Sequence, residues 1–335
     1  MNFCTVFLLI FFVFSVSAFD SLRENTIYSL TNPKLPDIFP FGDDLSFSYY
    51  QQSCPDLEAI IQRKMGEWIK KDYTLAASLI RLHFHDCAVR GCDGSILLDN
   101  EGSEKMANAS KSLRGFEVIE DIKAEVESRC PKTVSCADIL TAAARDATVG
   151  VGGPFWMVPY GRKDGRISIA KEAETVPMGH EKITDLIELF QSKGLNVLDL
   201  VVLSGSHTIG RSTCGSLQYR LYNFNGTGTP DPSINVKYLN FLRRKCRWAS
   251  EYVDLDGITP RTFDIEYYKN LQYKMGLLST DQLLYSDSRT QPLVTALASQ
   301  PSVFYGQFAV SMVKLGNIQS EDEGEIRVNC NYVNH

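Results

Sequence analysis

Residues 76–87 read Ala76-Ala77-Ser78-Leu79-Ile80-Arg81-Leu82-His83-Phe84-His85-Asp86-Cys87. These residue types favour a helix through Cys87, which places Arg81 and His85, four apart, on one face with Phe84 beside them and Leu82 turned elsewhere. A cation and an imidazole held together over an apolar site suit heterolysis of a peroxide. His85 would take the proton from one oxygen, and Arg81 would stabilise charge on the departing one. The plainer reading is a solvated Arg–His face. A metal pair at His83 and His85 would require a strand, because residues two apart on a helix point away from each other.

Directly downstream, Asp86-Cys87-Ala88-Val89-Arg90-Gly91-Cys92-Asp93-Gly94-Ser95 sets oxygen donors at Asp86, Asp93 and Ser95 around a Gly-bearing turn with two cysteines. Hard oxygen ligands suit calcium, with backbone carbonyls at Val89 and Gly91 completing the set. An acidic turn stapled by a disulfide fits the same residues. A third segment, Asp199-Leu200-Val201-Val202-Leu203-Ser204-Gly205-Ser206-His207-Thr208-Ile209-Gly210, is an apolar helix that ends in small residues and a histidine. Small residues admit a flat group, and a neutral imidazole there can ligate haem iron if its other nitrogen donates to a carboxylate. Taken alone, it fits a core histidine equally well.

Outward from these segments the periodicity is helical: 56–71, 75–89, 116–128, 135–149, 181–192, 197–204, 211–222, 235–245, 264–275, 292–298 and 303–315 read as helices, and strand-like alternation is sparse. Capping residues open several of them, as at Ser135 and at Pro55-Asp56. The fold class expected is all-α, in one domain spanning residues 45–335. With 44% hydrophobic and 22% charged residues, the chain can bury a sizeable core, so a disordered chain is excluded.

Thr5 to Phe14 is an apolar run too short for a comfortable membrane span, and Ser15-Val16-Ser17-Ala18 suits signal cleavage after Ala18. Residues 1–18 therefore read as a signal peptide and 19–44, rich in Pro, as an irregular extension. Removing the leader leaves eight cysteines, which in an oxidising compartment implies four bridges of undetermined connectivity. Sequons at Asn108 and Asn225 fit the same route. The net charge of −6, with no basic run, argues against a nucleic-acid partner or an anionic membrane.

Together with Val134–Ile139, Val158–Arg162, Thr259–Asp264 and Leu278–Gln282, these segments resemble the class III secretory plant peroxidases from about Leu45 to Cys330. The resemblance implies a mainly helical haem peroxidase fold with one haem b between a distal lobe (Arg81, Phe84, His85) and a proximal lobe carrying the axial ligand His207. Asp281 matches the carboxylate that supports the proximal imidazole, and Pro159 the residue at the exposed haem edge where aromatic donors dock.

Two calcium ions are likewise implied, one on Asp86, Val89, Gly91, Asp93 and Ser95, the other on Thr208, Asp256, Thr259, Thr262 and Asp264. The implied bridges are Cys54–Cys130, Cys87–Cys92, Cys136–Cys330 and Cys214–Cys246. The activity implied is oxidation of small phenolic donors by hydrogen peroxide in one-electron steps, by a secreted monomer of the cell wall or apoplast that keeps no membrane contact after leader removal. A haem- or calcium-binding wall protein without activity is the rival class, and the presence of Arg81, His85, His207 and Asp281 speaks against it.

The chain departs from the resemblance at Ala88, Ile209 and Ser216, where aromatics are common. The stretch from Glu104 to Arg114 is one residue short, so the distal loop puts Ser110 or Ala109 where an Asn usually holds the distal imidazole. Asn108 belongs to a sequon and is expected to face solvent rather than His85.

Overall fold

The computed structural model describes residues 45–334. The leader, the extension and the boundary between them lie outside the described residues. The first helix, α1 (Leu57–Lys71), buries Leu57, Ile60, Ile61 and Met65, the stripe that a 3.6-residue period puts on one face. It packs on α4 (Cys136–Gly150), as does α2 (Leu75–Val89). Helix α4 is buried on nearly every side, because Ala137, Ala142, Ala143, Ala144 and Ala147 are small enough to let two helices approach. Its first turn is capped by Ser135, whose hydroxyl accepts the Asp138 amide at 3.1 Å. Between α2 and α4 lies α3 (Phe116–Arg129).

The second half begins with the short α5 (Ala170–Ala173), then α6 (Ile183–Ser192) and α7 (Val197–Ser204), which is opened by a reciprocal cap between Asn196 and Asp199. Helices α8 (Cys214–Tyr222), α9 (Val236–Lys245), α10 (Glu266–Gln272), α11 (Ser279–Ser286) and α12 (Gln291–Leu297) follow. The last, α13 (Pro301–Gly316), packs on α7 and is pinned to it by Ser311 and Lys314, which both donate to the buried Asp199 carboxylate. A stack of Phe263, Phe304 and Phe308, each at 0% exposure, fills the space beneath α13. Truncating one of these rings would cost about 3–5 kcal/mol, and Phe304 is pressed against Gly205 after α7, where a Cβ would lie 2.6 Å from its ring.

The all-α expectation holds, with one correction. Residues 211–222 are not one helix: Arg211–Thr213 form strand β1, antiparallel to β2 (Tyr252–Asp254), with Ser212 opposite Val253. The helix starts only at Cys214, because Thr213 turns its hydroxyl to the Ser216 amide as a cap and the Cys214 and Gly215 amides donate to Glu251 and Ala249 carbonyls. Helices α5 and α11 were not expected, and the helix read over 264–275 shortens to α10. Among the described residues no helix is long and apolar enough to cross a membrane.

All four implied disulfides form. Cys136–Cys330 joins the start of α4 to the far end of the chain, beside Asp164, whose buried carboxylate accepts the Cys136, Ala137 and Arg327 amides.

Candidate active site

Helix α2 and the 3₁₀ turn Gly205–Thr208 after α7 line a single cavity of about 370 Å³. From α2 come Ala77, Ser78, Arg81, Phe84 and His85, one face of one helix, and from the turn come Ser206 and His207. Much of the remaining wall is apolar, with Leu186, Phe190, Leu200 and Leu203 among its residues.

His207 Nδ1 is fixed on Asp281 Oδ1 at 2.7 Å. The same oxygen accepts the Tyr267 hydroxyl at 3.0 Å, and Oδ2 accepts the Leu278 amide at 2.9 Å. Burial alone would raise the Asp281 carboxyl, yet the adjacent His207 and these three donors hold it below the usual carboxylate range. With Nδ1 committed, the free His207 nitrogen is Nε2. An apolar cavity with one uncommitted imidazole nitrogen and a second imidazole nearby fits a flat, iron-bearing macrocycle.

His85 is 2% exposed, and burial, followed by the Arg81 charge, pushes its imidazole down to about 3. Its Nδ1 is enclosed without a hydrogen-bond partner, and Nε2 is the open nitrogen. Arg81 donates to the Ala109 carbonyl and the Ser112 hydroxyl, both at 2.9 Å, so the shortened distal loop holds the guanidinium. Asn108 is exposed and its side-chain oxygen accepts Lys111 Nζ at 2.6 Å, in keeping with a solvent-facing sequon. Ser110 is buried with its hydroxyl unpartnered, so it does not hold His85 either. Phe84 stacks on Phe190 and meets His85 edge-on.

His83 points the other way, against Cys87 and Arg162, and is also pushed down to about 3 by burial. It lies near Cys87 and Cys92, but those sulfurs are bonded to each other and offer no thiolate.

One expectation fails. Pro159 is buried, gives its carbonyl to Arg162 Nη1 at 2.6 Å, and is absent from the cavity wall. Pro177, beside Met178 and Gly179, and Pro260 line the cavity instead. All three prolines sit in irregular segments, so local sequence could not separate them.

In the last turn of α2 and the bend after it, Asp86 Oδ1, Asp93 Oδ2 and the Ser95 hydroxyl are buried and unpartnered. Gly91 has φ 103° and its α-carbon faces the Gln319 backbone, where a Cβ would come within 2.6 Å, so the bend requires glycine. The Val89 carbonyl accepts Lys193 Nζ and the Gly91 carbonyl accepts the Asp93 amide. Glu104, which sequence reasoning missed, is fully buried with both oxygens unpartnered and is pushed up to about 7 by burial. Nothing in a 3₁₀ turn read as loop announces a buried acid.

Around His207, the hydroxyls of Thr208 and Thr259 both point to Asp264 Oδ1 at 3.2 Å and reach Asp256 Oδ2 at 3.5 and 3.3 Å. Thr262 is exposed and bonds through its amide to the Thr259 carbonyl. Asn225 is exposed in its loop.

The family described as Peroxidase matches residues 61–300. The chain belongs to the plant class III peroxidases. Peroxidase 7 of Arabidopsis thaliana is 57% identical over 302 residues, which cover 89% of this chain and 86% of that protein. Peroxidase N of Armoracia rusticana is 44% identical over 298 residues, covering 87% and 91% respectively. Peroxidase 49 of Arabidopsis thaliana is 44% identical over 305 residues, covering 88% and 92%. This peroxidase is an oxidoreductase that takes haem as cofactor and uses hydrogen peroxide to oxidise a reducing substrate.

Proposed function

We propose that the chain is a secreted, monomeric peroxidase that oxidises small phenolic donors by one-electron steps, with a role in phenol coupling in the cell wall. The observation that carries this reading is the sharing of one apolar cavity by Arg81, His85 and an Asp281-bound His207. Haem bound there supplies the iron at which peroxide is reduced and donors are oxidised.

The chain's own residues have separate tasks. His207 Nε2 would hold the haem iron, and Asp281 fixes the tautomer that leaves this nitrogen free. His85, neutral at any pH well above 3, accepts a peroxide proton at Nε2 and returns it to the leaving oxygen. Arg81, held by Ala109 and Ser112, stabilises the charge that develops on that oxygen. Phe84 excludes water beside His85, and donors dock near Pro177.

Two calcium ions are proposed. One is held by Asp86, Asp93 and Ser95 with carbonyls of Val89 and Gly91, and Glu104 acts nearby; the other by Thr208, Asp256, Thr259 and Asp264 with Thr262. The buried, unpartnered oxygens of the first set support it, since such a group is costly without a cation. The four disulfides and the exposed Asn108 and Asn225 fit an extracellular glycoprotein.

Mixing haem-loaded protein with hydrogen peroxide and then with a panel of phenols tests the reading. A Soret shift followed by donor oxidation is expected; no shift would overturn it.

A further inference from the structure

A file of aromatic side chains leads from His207 to the protein surface through residues that do not line the cavity. Ring centroids are 6.1 Å apart from His207 to Tyr267, 5.1 Å from Tyr267 to Tyr268, 5.2 Å from Tyr268 to Phe304 and 5.8 Å from Phe304 to Tyr305. Helix α10 supplies Tyr267 and Tyr268, and α13 supplies Phe304 and Tyr305. The two helices bring their rings together beside the turn of His207 because Gly205 has no side chain, and a Cβ there would lie 2.2 Å from the Tyr268 hydroxyl.

Packing alone needs no hydroxyls here, as Phe263, Phe304 and Phe308 show in the same cluster. A tyrosine adds one property that phenylalanine lacks: it gives up an electron readily, provided that its phenolic proton can leave with it. Tyr268 is fully buried, and among the described residues its hydroxyl reaches only the Val201 and Val202 carbonyls, at 3.1 and 3.4 Å. A backbone carbonyl cannot keep a proton, so the loss of an electron cannot settle at Tyr268. Tyr305 donates to the Phe263 carbonyl at 2.9 Å but is partly exposed, beside Gly306, where an added Cβ would meet nothing within 4 Å. Its proton can pass to water. Electron transfer slows steeply with distance, so short steps between neighbouring rings outrun one long jump, and the file ends where the proton can be shed.

We propose that Tyr305 is a second site of donor oxidation, fed through Phe304, Tyr268 and Tyr267, which serves phenols carried on polymers too large to enter the cavity. This rests on the peroxidase reading and adds an outlet for the oxidising equivalents of peroxide. Tyr305 passes one electron inward along the file to the haem side of His207, where peroxide is reduced, and gives its proton to water. A polymer-bound phenol then returns one hydrogen atom to the Tyr305 phenoxyl and is left as a phenoxyl radical itself. Two such turns supply the two electrons, with the two released protons, that convert one hydrogen peroxide to two waters.

The test uses haem-loaded wild type, Tyr305→Phe, Tyr268→Phe and Tyr305→Trp, with free 4-methylphenol and tyramine-grafted dextran as donors. Wild type is expected to oxidise both. Oxidation of the dextran should be lost in Tyr305→Phe and Tyr268→Phe and kept in Tyr305→Trp, since an indole also yields an electron, while the rate on 4-methylphenol stays at the wild-type level throughout. Independently of turnover, peroxide added without donor in the presence of a nitroso spin trap should leave an adduct on Tyr305 of the wild type, found by peptide mass mapping, and none there in Tyr268→Phe. No oxidation of the dextran by the wild type, or oxidation that survives Tyr305→Phe, overturns the proposal. So do adducts confined to Tyr73 and Tyr252, the tyrosines of the cavity wall. Oxidation of neither donor, with no adduct on any residue, overturns the peroxidase reading and this proposal with it.

Discussion

Replacing Asp281 by Asn keeps the side chain's shape and removes its charge, in a pocket where the residue is 2% exposed. Three donors converge on the carboxylate: His207 Nδ1 and the Tyr267 hydroxyl on one oxygen, the Leu278 amide on the other. An amide can serve only one side. If its oxygen faces His207, its NH₂ meets the Leu278 N–H at the start of α11, and a buried donor goes unsatisfied at a cost of about 1–3 kcal/mol. If it flips, the NH₂ faces His207 Nδ1, the imidazole must carry its proton on Nε2, and the lone pair needed by the iron is lost.

The expected outcome for Asp281→Asn is therefore a loss of about 2–3 kcal/mol in folding stability and of roughly 10–100-fold in haem affinity. Urea denaturation of the haem-free protein reads the first, and haem titration followed at the Soret band reads the second. Tyr267→Phe is the control, since it removes one of the three donors and should cost about 1 kcal/mol while haem binding survives. Haem affinity in Asp281→Asn within twofold of wild type would refute the argument that the carboxylate sets the tautomer of His207.

Substituting His85→Ala should slow peroxide consumption by roughly 10²–10⁴ while haem stays bound, and an unchanged rate by stopped flow would remove His85 as the base. His83 and His85, both pushed down to about 3 by burial, should stay neutral from pH 8 to pH 4 in an NMR titration, and a midpoint near 6.5 for either ring would contradict their enclosure. The unfolded chain protonates these rings near pH 6.5, so their contribution to stability is full above that pH and is lost as pH falls towards 3; Glu104, pushed up to about 7, acts in the opposite sense below pH 7. Chelator treatment should lower the thermal midpoint, by the equivalent of about 2.7 kcal/mol for each ion if calcium had stood at a hundredfold its Kd, and a midpoint that does not move would count against both proposed ions. Replacing Cys136 and Cys330 together by Ala should cost about 2–5 kcal/mol in denaturant titrations, with a loss under 1 kcal/mol going against a stabilising role for the bond.

The face of α2 that Arg81 and His85 share is legible because a helix period is a local property: the two are four residues apart wherever the chain goes. The same holds for the Ser135 cap and for the acidic turn after Cys87. What stayed hidden depended on neighbours distant in sequence. Arg211-Ser212-Thr213 becomes a strand because Tyr252–Asp254 lies alongside it. Pro177 rather than Pro159 reaches the cavity because the loop before α6 is tied down, with the Gly179 carbonyl accepting from Tyr219 and Ser279 while Glu181 collects the amides of residues 178–180. Glu104 is an acid whose burial follows only once the distal loop has closed over it.

The bond between Cys136 and Cys330 spans 194 residues. On a ribosome adding about 5–20 residues per second, the second cysteine emerges roughly 10–40 s after the first. Throughout that interval the Cys136 thiol has no native partner, while the Cys87–Cys92 pair, five residues apart, can close almost at once. The C-terminal segment that also brings the Arg327 amide to Asp164 thus acts as a final latch. A chain released a few residues early would carry nearly every helix of the fold and an unpaired cysteine at the head of its central helix, a mark by which quality control in an oxidising compartment could tell the unfinished molecule from the finished one.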